Sequence, residues 1–215
     1  MTLARSDSPE FSTQRKLVVV SAGLSQPSST RLLADRLTTA VSDRVETEVT
    51  VIELRDLAHD ITNNLLTGFA APKLQAAIDA LATADGAIVV TPIFTTSYSG
   101  LFKSFIDVLD PAALTDLPVL IGATGGTERH SLALDYAIRP LFSYLHAVAV
   151  PTSVYAASAD WGSVGDAASG GLPERIERAA TELAALMRGS ERSSRVQDPF
   201  ALPAGFSPVG GFGAQ

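Results

Sequence analysis

Gly86-Ala87-Ile88-Val89-Val90-Thr91-Pro92-Ile93-Phe94-Thr95-Thr96-Ser97-Tyr98-Ser99-Gly100-Leu101-Phe102-Lys103, residues 86–103, decides the architecture of this 215-residue chain. Residues 86–91 form a short apolar run, which suits a strand covered on both faces of a sheet. At Pro92 the run gives way to hydroxyls and aromatics. A strongly apolar helical pattern then spans residues 101–109 and predicts a well-buried helix. A strand passing through a short polar loop into a helix is the repeating unit of parallel α/β sheets.

Further apolar, β-branched segments lie at residues 16–21, 48–54, 118–123 and 148–155. Helical patterns separate the five strands. Residues 30–41 place Leu33, Leu37 and Val41 on one face. Residues 72–84 carry Leu74, Ala77, Ile78 and Leu81 at i, i+3, i+4, i+7, opened by Pro72 in the first turn. Residues 130–146 and 173–188 supply two more. The Pro at 140 removes an N–H and clashes one turn back, so the fourth helix is expected to kink or bulge near Tyr136. Alternation of this kind implies right-handed βαβ crossovers and a doubly wound, five-stranded parallel sheet of flavodoxin-like strand order 2-1-3-4-5.

Composition narrows the possibilities. A 46% hydrophobic chain with 18% charged residues is globular. Its length suits one α/β domain over residues 16–188, preceded by a flexible arm, 1–15. A Gly/Pro/Ser-rich tail, 189–215, follows and reads either as disordered or, through Phe200, Phe206 and Phe212, as draped over another surface such as a neighbouring subunit. The formal net charge of −7, with basic residues scattered, argues against nucleic acid. The chain has no Cys, which excludes disulfides, thiolate catalysis and Cys-ligated zinc. No signal-peptide-like start and no bilayer-length apolar run occur, so a cytoplasmic location is expected and no membrane partner.

Three loops carry the chemistry, each at the carboxyl end of a strand, where open α/β sheets bind ligands. In the loop after the third strand, Phe94 and Tyr98 can lie against a flat ring while hydroxyls and amides bond its edge; a nucleotide or flavin suits this better than a sugar or metal. Ser21-Ala22-Gly23-Leu24-Ser25-Gln26-Pro27-Ser28-Ser29-Thr30 puts hydroxyls and free backbone amides at a helix N-terminus, which favours an anion. No Lys lies between Lys16 and Lys73, so this is no Walker loop, and Gly23 stands alone where a dinucleotide fingerprint needs three glycines. Ser28, Ser29 and Thr30 read either as helix caps or as ligands of a terminal monophosphate. The third loop, Ala123-Thr124-Gly125-Gly126-Thr127, contains a Gly pair that lets backbone N–H groups approach a ligand.

The stretches Thr91-Pro92-Ile93-Phe94, Tyr98-Ser99-Gly100-Leu101-Phe102-Lys103, Ala123-Thr124-Gly125-Gly126-Thr127 and His130-Ser131-Leu132-Ala133-Leu134-Asp135-Tyr136-Ala137-Ile138-Arg139-Pro140 together resemble the NAD(P)H-dependent FMN reductases of flavodoxin-like fold. That family includes the reductases that feed alkanesulfonate monooxygenases. The resemblance implies FMN and NAD(P)H as cofactors, and a homodimer or homotetramer whose contacts involve the fourth helix. It implies that Ser21, Ser28, Ser29 and Thr30 hold the FMN phosphate. Pro92, Ile93, Phe94, Ser97, Tyr98, Ser99 and Gly100 would line the isoalloxazine and ribityl chain, and Thr124, Gly125 and Gly126 would meet the pyrimidine edge. Similar reductases often place an Arg beside the phosphate; here Gln26 and Ser29 occupy that stretch, and the nearest Arg is Arg31.

The expected activity is hydride transfer from nicotinamide to FMN, supplying reduced flavin to a partner monooxygenase. No catalytic triad or carboxylate pair is evident. Two alternatives remain: an FMN-retaining quinone, azo-compound or metal-ion reductase, and a flavodoxin-type electron carrier. The absence of Asp and Glu from residues 91–106 counts against the carrier. Lys103 and Asp107 read as an exposed i, i+4 pair or as a subunit or cofactor contact. Of the three histidines, His59 and His146 read as structural or solvated. His130 is a candidate for seating the nicotinamide, and Arg129 for the extra phosphate of NADPH.

Overall fold

The computed structural model describes residues 14–161 and 171–195. Its sheet runs β2 (Thr47–Glu53), β1 (Arg15–Ser21), β3 (Gly86–Phe94), β5 (Pro118–Gly125) and β6 (Val148–Ala149), all parallel. This is the 2-1-3-4-5 order expected from the alternating pattern. Two short strands complete the sheet: β4 (Ser97–Tyr98) folds back antiparallel on β3, and β7 (Val154–Ala157) pairs with β5.

The single fifth strand expected over residues 148–155 is therefore two pieces, interrupted at Pro151. Proline has no N–H for the ladder and biases its predecessor, so pairing lapses there. The exposed carbonyls are not left bare. Arg139 donates to Val150 O at 2.9 Å, Pro151 O at 3.1 Å and Ser153 Oγ at 2.7 Å. On the other side, Glu182 accepts from Thr152 N and Oγ1, both at 2.7 Å.

Both faces of the central strands β1, β3 and β5 are covered, while the edge strand β2 is largely exposed. On one face, Leu17, Val19, Ile88, Val90 and Leu120 pack against α1 (Ser29–Ser42) and α6 (Leu172–Arg188). On the other, Val18, Val20, Ala87, Val89, Val119 and Ile121 meet α2 (Ala58–Thr67), α3 (Pro72–Ala82), α4 (Gly100–Asp107) and α5 (Arg139–Tyr144). Phe102, Phe105 and Phe142 are fully buried there. Helix α2, not expected from the sequence pattern, buries only Ile61.

The fourth helical pattern bulges where Pro140 predicts. A short 3-10 turn, Glu128–His130, leads to a π-helical turn, Leu134–Ile138, and only then to α5, with Pro140 in its first turn. The two segments are continuous, Arg139 N donating to Leu134 O, so the bulge lies in the turn before the proline, where its ring would clash and its N–H is missing.

The arm, apart from Gln14 and Arg15, and the tail beyond residue 195 lie outside the described residues. The start of the tail is docked at the amino ends of the strands by α7 (Arg192–Arg195). Arg192 donates to the carbonyls of Ala82, Ala84, Ala113 and Thr115. Buried Asp85 accepts from Lys16 N and Ser193 N.

One turn is strained. Between β3 and β4, Thr95 and Thr96 have φ of 48° and 70°, a left-handed conformation that branched side chains rarely adopt. Two-residue hairpin loops of this kind favour Asn-Gly. Replacing Thr95 with Asn and Thr96 with Gly should raise the free energy of unfolding by about 1 kcal/mol, or Tm by about 2–4 °C. Thermal denaturation followed by circular dichroism checks this; an unchanged or lower Tm contradicts the assigned turn.

Candidate functional site

The carboxyl ends of β1, β3 and β5 converge on a cleft of about 480 Å³, within the range of small-molecule sites. Its walls are Leu24, Ser25, Ser29, Thr30, Pro92, Ile93, Phe94, Thr124, Gly125, Gly126, Ser158 and Trp161. The three loops singled out in the sequence thus meet at one place. Two other depressions, of about 350 and 320 Å³, lie between α1 and α6 and beside β2 and α3, away from these loops.

At one end stands the N-terminus of α1. Ser28 is its cap, the hydroxyl accepting from Arg31 N at 3.2 Å, so this oxygen serves the helix. Ser29 and Ser25 face the cleft. Thr30 is buried, its hydroxyl bonded to that of Thr124 at 2.9 Å, which ties the first loop to the third. Ser21 is fully buried and its Oγ has no hydrogen-bond partner. An orphaned hydroxyl beneath a loop of free amides is unusual in a closed core and suits a site built for an anion.

Arg31 does not supply the positive charge that its position in sequence suggests. It donates to Asp35 at 2.7 Å and to Glu53 at 2.7 Å, and these bonds, Glu53's foremost, raise its pKa. The cation that touches this loop comes from elsewhere. Arg55, in the 3-10 turn Leu54–Leu57 after β2, donates to Ser25 O at 3.0 Å. With the Gln26 amide oriented to satisfy both partners, its oxygen accepts from Arg55 Nη2 at 2.8 Å. Arg55 braces the loop through its backbone and is not among the residues lining the cleft.

Pro92, Ile93 and Phe94 make the long apolar wall, with Phe94 half exposed. Ser97, Tyr98, Ser99 and Gly100 lie behind it and build it. Ile93 pairs with Tyr98, and Phe94 with Ser97. Thr91 Oγ1 accepts from Ser99 N at 3.1 Å, and Ser99 in turn caps α4 by accepting from Phe102 N at 3.1 Å. Tyr98 stacks edge-on against Phe102, with centroids 6.1 Å apart. Gly100 is exposed with open space where a side chain would stand.

Thr124, Gly125 and Gly126 form the third wall, and no atom lies within 4 Å of a Cβ placed at Gly126, which leaves room for a ligand edge. Facing them are Ser158 and Trp161, which sequence reading missed. They follow β7, whose carboxyl end joins the same crevice. That Trp161 is the chain's one tryptophan was the available signal. Its ring sits 5.0 Å from the Arg36 guanidinium. Arg129 and His130 lie in the turn after Gly126, outside the cleft walls. Lys103 pairs with Asp107 at 2.7 Å on the surface of α4, the simple i, i+4 arrangement.

Hydroxyls at the N-terminus of α1, an apolar wall and a glycine-lined edge suit this cleft of a flavodoxin-like sheet to a flavin mononucleotide. The residues present fit that group in size and in donor chemistry. Comparison with known proteins agrees. The family of NADPH-dependent FMN reductases matches over residues 15–162. An FMN reductase (NADPH) from Pseudomonas aeruginosa is 41% identical over 174 residues, 81% of this chain and 93% of that protein. The NADH-dependent FMN reductase SfnF from Pseudomonas fluorescens is 40% identical over 171 residues, 80% and 91% of the two chains. The crystal structure of an oxidoreductase from Corynebacterium diphtheriae superposes with a TM-score of 0.78 at 47% identity, covering 82% of this chain and 98% of that one. This chain belongs to the NADPH-dependent FMN reductase family and is an NAD(P)H:flavin oxidoreductase.

Gly23 tests the cradle. A Cβ at Gly23 would stand 2.1 Å from Ser28 Oγ, so an alanine must displace the α1 cap. Gly23→Ala should cost about 1 kcal/mol of stability and raise the Kd for FMN about tenfold, with riboflavin binding changed much less. Equal losses for the two ligands, measured by calorimetry, would place the phosphate elsewhere.

Proposed function

We propose that this protein reduces FMN as an exchangeable substrate and hands it, reduced, to a separate flavin-dependent monooxygenase. The observation that carries this reading is the lining of the cleft: among the described residues that form it, none has a charged side chain. A phosphate held by amides and hydroxyls, without an ion pair, is retained less firmly than one clamped by arginine. Phe94, half exposed at the lip, leaves one ring face open to nicotinamide and to departure.

Bound flavin supplies the hydride acceptor, and the protein supplies orientation and electrostatics. Ser25, Ser29 and the first amides of α1 hold the phosphate, with the helix dipole favouring its charge. Thr30 and Thr124, bonded to each other, keep the phosphate loop in register with the edge-binding loop. Pro92, Ile93 and Phe94 support the ring along one side. Backbone amides from Thr124 to Gly126 would meet the pyrimidine edge of the flavin and would stabilise negative charge there by preorganised hydrogen bonding. No side chain is required to exchange a proton with substrate in this scheme.

The protein should act as a homodimer or homotetramer. Tyr136 and Tyr144 are 80% and 77% exposed, and Leu66 and Phe69 are 80% and 82% exposed. Large apolar side chains this bare on the helical layer that carries α2 and α5 favour self-association. Sedimentation velocity should show a single oligomer, and Tyr136→Glu should shift it toward monomer; a monomeric wild-type protein refutes the assembly.

Kinetics test the exchange. Desalting should strip the protein of FMN, and steady-state turnover with NAD(P)H and added FMN should follow a sequential pattern. Ping-pong kinetics with flavin retained through desalting would instead make this an FMN-holding reductase for another acceptor.

A further inference from the structure

We propose that Tyr155 is a positioning residue for flavin reduction: its hydroxyl holds the Gly125–Thr127 turn in the shape that receives the pyrimidine edge of FMN. The inference rests on the reading that the cleft binds FMN. Tyr155 lies on β7, paired with Ala123 of β5, while Gly125 pairs with Ala157. Side chains two residues apart on a strand share a face, so the ring of Tyr155 reaches across the place where a side chain at Gly125 would stand. A Cβ at Gly125 would lie 2.1 Å from Tyr155 Oη and 3.1 Å from Cζ. Glycine at 125 is therefore demanded by the tyrosine as much as by any ligand.

The hydroxyl is bonded as well as packed. It donates to Thr127 O at 2.9 Å, across a separation of 28 residues. Tyr155 is only 3% exposed, and burial raises its pKa, so it stays a neutral donor throughout the physiological range. Burying a phenol costs free energy unless it finds a partner, and this one finds the last carbonyl of the glycine turn. Thr127 also caps the following 3-10 turn by accepting from Arg129 N at 3.4 Å, so the bond fixes both the turn and its exit.

Tyr155 itself rests on a rigid support. Arg175 of α6 donates to Tyr155 O at 2.9 Å and to Asp160 at 3.2 Å, and Asp160 accepts from Ala157 N at 2.7 Å. The strand, α6 and the turn that carries Asp160 thus hold Tyr155 in place, with its hydroxyl over Gly125. A turn of Gly125 and Gly126 without such a prop would sample several shapes, because glycine restricts its backbone least. Preorganised amides stabilise developing charge only if they need not reorganise when it appears.

The test compares wild type with Tyr155→Phe, which keeps the ring and removes the hydroxyl. Dissociation constants of oxidised and of anaerobically reduced FMN are measured, together with the midpoint potential of bound FMN. Reduced FMN should lose about tenfold more affinity than oxidised FMN, which lowers the two-electron potential by about 30 mV. A merely structural role would weaken both forms equally and leave the potential where it was; that result overturns the inference. Gly125→Ala probes the contact from the other side. It should lower both Tm and potential in the wild-type background, and lower them much less when combined with Tyr155→Phe, since the clashing oxygen is gone. Additive losses would also overturn the inference. Wild-type protein that binds no FMN would instead refute the FMN site itself, an outcome distinct from either.

Discussion

The burial of β1, β3 and β5 on both faces is the constraint from which the rest follows. Leu17, Val19, Ile88, Val90 and Leu120 are sealed by α1 and α6, and Val18, Val20, Val89, Val119 and Ile121 by the opposite layer. With both faces occupied, the only free edges of these central strands are their ends. At the amino ends the chain closes the structure with Arg192 and Asp85. At the carboxyl ends it leaves backbone polar groups and glycines, and these form the cleft. Stability and function are thus divided between the two ends of one sheet.

The cleft works with little charge. Beside the first loop, Arg31 is turned aside to Asp35 and Glu53, and Arg55 holds the Ser25 backbone. The hydroxyls of the first and third loops are held in register by the Thr30–Thr124 bond and the Ser28 cap. Geometry of this kind can select a ligand without a strong ion pair retaining it.

Much of the site was legible in the primary structure because its signals are local. Pro92 through Phe94, the Ser-rich run to Thr30 and the Gly125–Gly126 pair each follow an apolar strand directly, and each reaches the cleft. The predicted bulge at Tyr136 was legible too, since Pro140 cannot complete an α-helical turn. What escaped was non-local. Ser158 and Trp161 enter the cleft only because β7 pairs with β5 after the break at Pro151. Arg55 reaches the first loop across 30 residues. Ser28, left open between helix cap and ligand, accepts from Arg31 N, and Ser99 accepts from Phe102 N; a hydroxyl's partner cannot be told from its neighbours in sequence.

Residue order alone determined the alternation of strands and helices, the 2-1-3-4-5 arrangement and the three strand-end loops, because hydrophobic period and Gly/Pro placement act over a few residues. Tertiary structure decided which of the loop groups face the cleft and which brace it, where the fifth strand divides, and that Tyr155 fills the space above Gly125. Those outcomes turn on distances between segments far apart in the chain, which only the packed sheet brings within reach of a hydrogen bond.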